Sequence, residues 1–505
     1  MNRPMNISAN GTTPLDGTSK QALLDKLGQQ AVGLDVDFVL ADGETSRRVY
    51  LDSTASTLRL QVVQDVLDKY QPYYSNTHSM VHFGAKLSTS QYAWAHEMVL
   101  KFVHADPEAY TAFFTGNGTT AGINRVAQTL RAQRPERDVA ITSVMEHHSN
   151  DLPHRKHFAH VVHVPAEDGP NSLGSVCLRS VEAALEKYGD RVNYISVTGV
   201  SNVTGIINPV HKLAELAHRY GALLVVDAAQ MIAHLPIHMS GNSDSARDID
   251  VVVFSGHKIY APGSPGVVVA RKELFSGIEP QEVGGGMVED VWLDRFTSTP
   301  KLPDREEAGT PNICGAIGLA TALYALDRVG MDLIADEEEE LIKYALRKLS
   351  EIDDVVIYGD NDAERYARAG ALSFNVKGVH HGLTGAVLND YFNIAVRNEC
   401  FCAHPYVREM ITQALADEDD GLTNEELEAL AEMQRGMVRA SFGIYTTRAD
   451  IDALAEAVRA IGENRGLYEG QYDQLECGDF VHKTFQFNPE EFFSIGGAVD
   501  AWLAE

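Results

Sequence analysis

An α/β protein with a largely parallel sheet is the fold class this chain predicts, and three observations carry that expectation. Between residues 139 and 271, short unbroken apolar runs alternate with amphipathic stretches. The runs show no in–out alternation, as expected of strands covered on both faces. Polar residues stand directly after these runs, where open parallel sheets bind ligands.

The elements follow in order. Tyr110–Phe114 is apolar and leads into Gly116-Asn117-Gly118-Thr119-Thr120-Ala121-Gly122, after which INRVAQTLRAQ has helical spacing. Val139–Val144, Val161–Val164 and Tyr194–Val197 are further strand-like runs. Asn208-Pro209 opens the helical stretch HKLAELAHRY and Gly221 closes it, proline inside the start and glycine past the end. Ala222–Val226 ends at Asp227, Ile249–Phe254 ends at Ser255, and Val267–Ala270 follows. From about residue 326 helices dominate, with the acidic run Asp336–Glu340, strand-like segments at Val355–Tyr358 and Ala371–Val376, and a capping box at Thr423–Glu426. Acidic runs of this kind are solvated faces. The expected organisation is a disordered polar leader over 1–30, a segment at 31–59 joining the small domain, a large domain at 60–325, a small α/β domain at 326–463 and an aromatic-rich extension at 464–505.

Composition narrows the class of function. The chain has 505 residues, 44% of them apolar, enough for two or three domains with a sizeable core. Its net charge is −29, which repels phosphate backbones and anionic lipid and argues against nucleic-acid or membrane binding. Five cysteines, an odd and sparse set, point to a reducing compartment rather than a disulfide framework. With no apolar signal segment at the start and no run of about 18 apolar residues, the expected location is cytoplasmic. No metal site is expected, since Cys400 and Cys402 lack a second ligand pair.

Several residues have the chemistry of a site. The glycine loop before a helix leaves backbone N–H groups for an anion, with Thr119 and Thr120 adding hydroxyls; an ordinary glycine turn reads the same way. Asp227 ends a buried strand and needs a cationic or hydrogen-bonding partner, such as a protonated pyridine nitrogen or an arginine. Lys258, in Ser255-Gly256-His257-Lys258, could form a Schiff base if desolvated. His147, in Glu146-His147-His148, could stack on an aromatic ring or move protons, or be a satisfied core histidine.

Taken together, VVDAAQ and VVVFSGHKIYAPGSPGVVVARKELF resemble the pyridoxal-phosphate segment of the class V aminotransferase-like enzymes. MEHHSND, GVSNVTGIINPV, GGGM, EAGTPN, AVRNECFCAHP and VRASFGIYTT resemble the cysteine desulfurases of that superfamily, in its selenocysteine-lyase-like group. The resemblance spans about residues 50–461. It implies the PLP-dependent transferase fold (aspartate aminotransferase-like, fold type I) and pyridoxal 5'-phosphate as cofactor. It implies that Lys258 forms the Schiff base, Asp227 holds the pyridine nitrogen, Gln230 meets the phenolic oxygen and His147 stacks on the ring. Thr119, Thr120, Ser255 and His257 would cradle the phosphate, with Thr310 contributed by a second subunit, so a homodimer is implied. Asn202, His82, Arg397 and Arg439 would bind the substrate, Arg439 through its carboxylate. Cys402 would take sulfur from L-cysteine as a persulfide, leaving L-alanine, and pass it to an acceptor protein. In the loop around it, Glu399 stands where the family has glycine and Cys400-Phe401 where it has two histidines. Other reactions of the superfamily, namely C–S β-lyase, selenocysteine lyase, aminotransferase or epimerase, are the alternative expectation.

Overall fold

Apolar runs inside the sheet become strands with no exposed face, while the edge strand His160–Val164 is exposed at His160 and His163. All seven residues of Val192–Thr198 and all five of Val251–Ser255 are buried. The computed structural model describes residues 15–169, 172–418, 423, 425–427, 430–431, 436–476 and 478–505. Its main sheet contains β1 (Tyr110–Thr115), β2 (Val139–Ser143), β3 (His160–Val164), β4 (Val192–Thr198), β5 (Leu223–Asp227), β6 (Val251–Ser255) and β7 (Gly266–Arg271), in the order β1-β7-β6-β5-β4-β2-β3. Strands β3, β2, β4, β5 and β6 pair in parallel, and β7 runs antiparallel to both its neighbours. The register sets Asp227 of β5 against Val253 of β6 and Thr198 of β4.

Helices cover both faces. They include α1 (Gly17–Gln29), α2 (Gln61–Tyr70), α3 (Phe83–Phe102), α4 (Gly118–Gln133), α5 (Leu178–Tyr188) and α6 (Val210–Arg219). Side chains alternate along each strand, so Val225, Val251 and Val253 join Ile123, Val126 and Leu130 of α4 in one core cluster. Leu224, Val226, Val252 and Phe254 belong to the cluster on the other face. Gly122 lets α4 lie flush on the sheet: a Cβ there would come within 2.4 Å of Val253 Cγ1.

A second sheet contains β8 (Val355–Ile357), β9 (Ala371–Val376), β10 (Arg397–Glu399) and β11 (Met437–Ser441), ordered β8-β9-β11-β10 and antiparallel throughout. Against it pack α8 (Met331–Ser350), α9 (His381–Phe392) and α11 (Arg448–Glu463), whereas α7 (Ile313–Val329), lying on α2 and α3, and α10 (His404–Glu418) bury side chains in the main core. Leu51 packs in this second core, next to the two-residue strand Val49–Tyr50, which pairs with Ile394–Ala395. Thr423 and Glu426 make the reciprocal contacts of the expected capping box. Beyond α11, a hairpin pairs Tyr472–Gln474 with Phe480–His482. Tyr472 Oη donates to Asp390 (2.9 Å), and Tyr391 Oη lies 2.9 Å from His482 Nε2. The chain ends in α12 (Ile495–Ala504), whose Ile495, Trp502 and Leu503 are exposed. No single described helix is long and apolar enough to cross a membrane.

The expected disordered leader over 1–30 is corrected by α1; residues 1–14 lie outside the described residues. Asp16 caps α1 by accepting from Ser19 N–H (2.8 Å). Leu24 and Leu27, three positions apart, are buried against the core that includes α7. Gly28 lies against the carbonyl of Ile444. A short apolar stripe inside polar sequence was enough to dock the helix. Leu27→Ala should therefore lower the unfolding free energy by about 2–4 kcal/mol, measured by urea denaturation, where an undocked leader would show no change.

Candidate active site

The carboxyl ends of β4, β5 and β6 open into a cavity of about 660 Å³, whose far wall comes from the second sheet. Of the residues singled out from the sequence, all but Thr310 and His82 line it. Asp227, the last residue of β5, is 3% exposed, and burial raises its pKa while Lys258 pulls it back. Asp227 Oδ1 accepts from Ala229 N–H at 2.9 Å. Lys258 ends the tight turn Gly256–Lys258 after β6. Burial pushes its ammonium down to about 8, against the pull of Asp227. A lysine near neutrality beside a buried carboxylate is suited to covalent carbonyl chemistry. Gln230 Nε2 donates to Thr54 O at 3.0 Å, tying the wall to the segment after Val49–Tyr50.

His147 is held neutral: burial, then Lys258, pushes it down to about 4. Its Nδ1 accepts from Ser149 N–H (3.0 Å), which leaves the proton on Nε2. At the anion end, Thr119 N–H donates to Ser255 Oγ at 2.8 Å, and Thr119 Oγ1 lies 2.8 Å from the same oxygen. Thr120 Oγ1 meets Ser149 Oγ at 2.7 Å. Gly118 has φ +58°, and a Cβ there would stand 2.5 Å from Ser255 Oγ, so the approach of loop to strand needs glycine. His257 is also neutral, pushed to about 4 by burial and then by Lys258.

The opposite end is cationic. Arg439 on β11 is buried, faces Arg397 of β10 across the ladder, and donates to Asn202 O (2.9 Å) and Asp52 Oδ1 (3.4 Å). Burial lowers its pKa to about 10, so it remains charged near pH 7. Arg397 reaches the other oxygen of Asp52 at 3.4 Å. Two guanidinium groups share one carboxylate, which leaves positive charge for an incoming anion. Asp52 was not singled out from the sequence, although it follows the apolar run Val49–Leu51 and the strand-end rule applied to it.

Cys402 sits in a left-handed loop: Glu399, Phe401 and Cys402 have φ of +90°, +50° and +56°. The loop is pinned by Asn202 Nδ2 donating to Phe401 O (2.8 Å), His148 N–H donating to Cys402 O (2.8 Å) and Ala403 N–H donating to Cys400 O (2.8 Å). The Arg439 guanidinium lies 4.7 Å over the Phe401 ring. Cys402 is exposed and borders both the main cavity and an adjoining one of about 520 Å³, lined also by His404, Glu476 and Asp479.

His82, expected at the substrate, and Thr310, expected to serve a second subunit, both lie outside the cavity. His82 caps α3 by accepting from Ala85 N–H (3.3 Å), outside the cavity. Thr310 is exposed, and its Oγ1 accepts from Asn76 Nδ2 at 3.4 Å.

Residues 49–454 match the family described as aminotransferase class-V. The chain belongs to that family. Among class-V relatives, a probable cysteine desulfurase of Halalkalibacterium halodurans is 36% identical over 83% of this chain and 94% of its own. A cysteine desulfurase of Escherichia coli O139:H28 is 32% identical over 82% and 93%. The apo structure of a cysteine desulfurase from Thermococcus onnurineus NA1 superposes with a TM-score of 0.70 at 30% identity, over 83% of this chain and 95% of that one. The Escherichia coli cysteine desulfurase CsdA gives 0.67 at 30% identity, over 82% and 95%. The class-V cofactor is pyridoxal 5'-phosphate, and the main sheet is that of the fold type I PLP enzymes.

Two predictions follow from this geometry. Glu399 holds a backbone conformation that favours glycine, so Glu399→Gly should raise stability by about 1 kcal/mol in urea denaturation. Only neutral Lys258 can attack an aldehyde, so the rate of PLP uptake by cofactor-free protein should rise about tenfold per pH unit toward about pH 8 and then level, followed by absorbance.

Proposed function

We propose that this protein is a PLP-dependent cysteine desulfurase that moves sulfur from L-cysteine to Cys402, releases L-alanine and passes the sulfur to an acceptor protein. The observation that carries the reading is the convergence of Lys258, Asp227, Arg439 and Cys402 on one cavity. Its residues fit the cofactor in size and chemistry. Glycine-dependent packing at Gly118 builds an anion cradle with Thr119, Thr120 and Ser255. Buried Asp227 lacks a full counter-charge and suits a protonated ring nitrogen. Neutral His147 offers a flat face, and Lys258 would hold the cofactor covalently.

Bound PLP supplies an electron sink for charge developing on the substrate's α-carbon side. Arg439 and Arg397 orient the substrate by its carboxylate. Lys258 Nζ, its pKa brought down to about 8 by burial, accepts and returns the α-proton. Cys402 Sγ, as thiolate, forms a bond to the substrate sulfur while the carbon–sulfur bond breaks. The electron pair of that bond stays with carbon, which takes a proton on the way to alanine. An acceptor thiolate then attacks the outer sulfur and Cys402 leaves as thiolate.

Thr310 and His82 serve the site of a second copy in this reading. Support comes from their place outside their own cavity and from exposed Met80, Val81 and Phe83 beside His82, a surface suited to burial in a homodimer. The cytoplasm, which keeps thiols reduced, suits the reactive Cys402.

Cys402→Ser should keep the yellow cofactor colour while protein-bound persulfide disappears and alanine formation falls at least about 100-fold, assayed together with L-cysteine. Alanine at the unaltered rate in that variant would refute the persulfide route.

A further inference from the structure

Beneath the cavity, the turn bearing His147 rests on a buried polar chain. Tyr194 O–H donates to His154 Nδ1 (2.7 Å), and His154 Nε2–H donates to Asn150 Oδ1 (3.2 Å), which also accepts from Ser196 Oγ (2.7 Å). Asn150 Nδ2 in turn donates to Glu146 Oε2 at 2.7 Å. The other carboxyl oxygen, Oε1, lies 2.5 Å from Ser143 Oγ, which accepts from Met145 N–H at 3.1 Å. That separation is at the short end for an O–H···O bond.

Burial decides the state of Glu146, against the downward pull of its hydrogen bonds from Ser143 and Asn150. Its side chain is enclosed, 2% exposed, and its partners Ser143, Asn150 and the Thr198 N–H are all neutral. The charged group facing it is another carboxyl, Asp227, which makes ionisation harder still. Lys258 lies on the Asp227 side and compensates that residue. His147 beside Glu146 and His154 below it are both pushed down to about 4 by burial, so neither supplies a cation. Burial pushes Glu146 up to about 8. A buried carboxylate without a counter-ion neutralises instead.

We propose that Glu146 is a neutral carboxylic acid near pH 7 and a positioning residue. The carboxyl holds Ser143 through Oε1 and Asn150 through Oε2, which fixes the His147 turn and leaves the negative charge of this wall on Asp227. The proposal rests on reading the cavity as the PLP site.

The test uses the cofactor-bound enzyme and two readouts other than turnover. In infrared titration, a carboxylic-acid C=O band should be present at neutral pH, fade above about pH 8, and be lost in Glu146→Gln. The second readout is the thermal midpoint. Because the folded pKa of Glu146 is raised, its contribution to stability is complete below about pH 4.5 and drains away as pH climbs to about 8. Glutamine has no such proton to lose, so the midpoint of Glu146→Gln relative to the unaltered enzyme should gain steadily from about pH 5 to about pH 8 and then stay level. A difference constant from about pH 5 to pH 9, with no band assignable to Glu146, would overturn the proposal. If Glu146→Gln does not fold, Ser143→Ala decides: removing the hydroxyl at Oε1 shifts the band if the band belongs to Glu146 and leaves it in place otherwise. A colourless protein that still shows band and midpoint trend would count against the cofactor reading and not against the neutral acid.

Discussion

The parallel pairing of β5 with β6 is the constraint on which the site depends. It brings the last residue of one strand and the turn after the other to the same edge of the sheet, with Asp227 level with Val253 and Lys258 just beyond. Both strands are sealed by apolar side chains above and below, so opposite charges that water would otherwise solvate must be met by each other or by a ligand. The sheet thus supplies the driving force for occupancy as well as the geometry. The rest of the cavity is arranged around that pair: an anion cradle at the helix start of α4, and a cationic wall delivered by the second sheet.

The second wall depends on a different principle. Arg397 and Arg439 are opposite partners in an antiparallel ladder, a spacing at which two like charges repel. Asp52, carried by a segment more than 300 residues earlier in the chain, bridges them. Its chain neighbour Leu51 is locked into the second core, so assembly of the substrate end requires the N-terminal segment to be in place.

The main sheet and the residues at its strand ends were legible from sequence because doubly covered strands read as unbroken apolar runs. Asn202, Asp227, Ser255 and Lys258 followed from that pattern, and the resemblance assigned their roles. The helix α1 was not legible, since two buried leucines among polar residues give a weak periodic signal. Asp52 was missed because its strand is only two residues long. The left-handed backbone at Glu399 and Cys402 was invisible, because those residue types do not advertise positive φ as glycine does. His82 carries no local pattern that would have told of its place at the cap of α3, outside the cavity.

Cys402 borders two cavities rather than one, so its thiol is open to approach from two sides. One of them holds Arg439, where the proposed reaction would seat the amino acid, and the other is lined by Glu476 and Asp479. In the proposed reaction an acceptor would then not compete for space with the next amino acid, and the two half-reactions would be ordered by chemistry at a single sulfur atom.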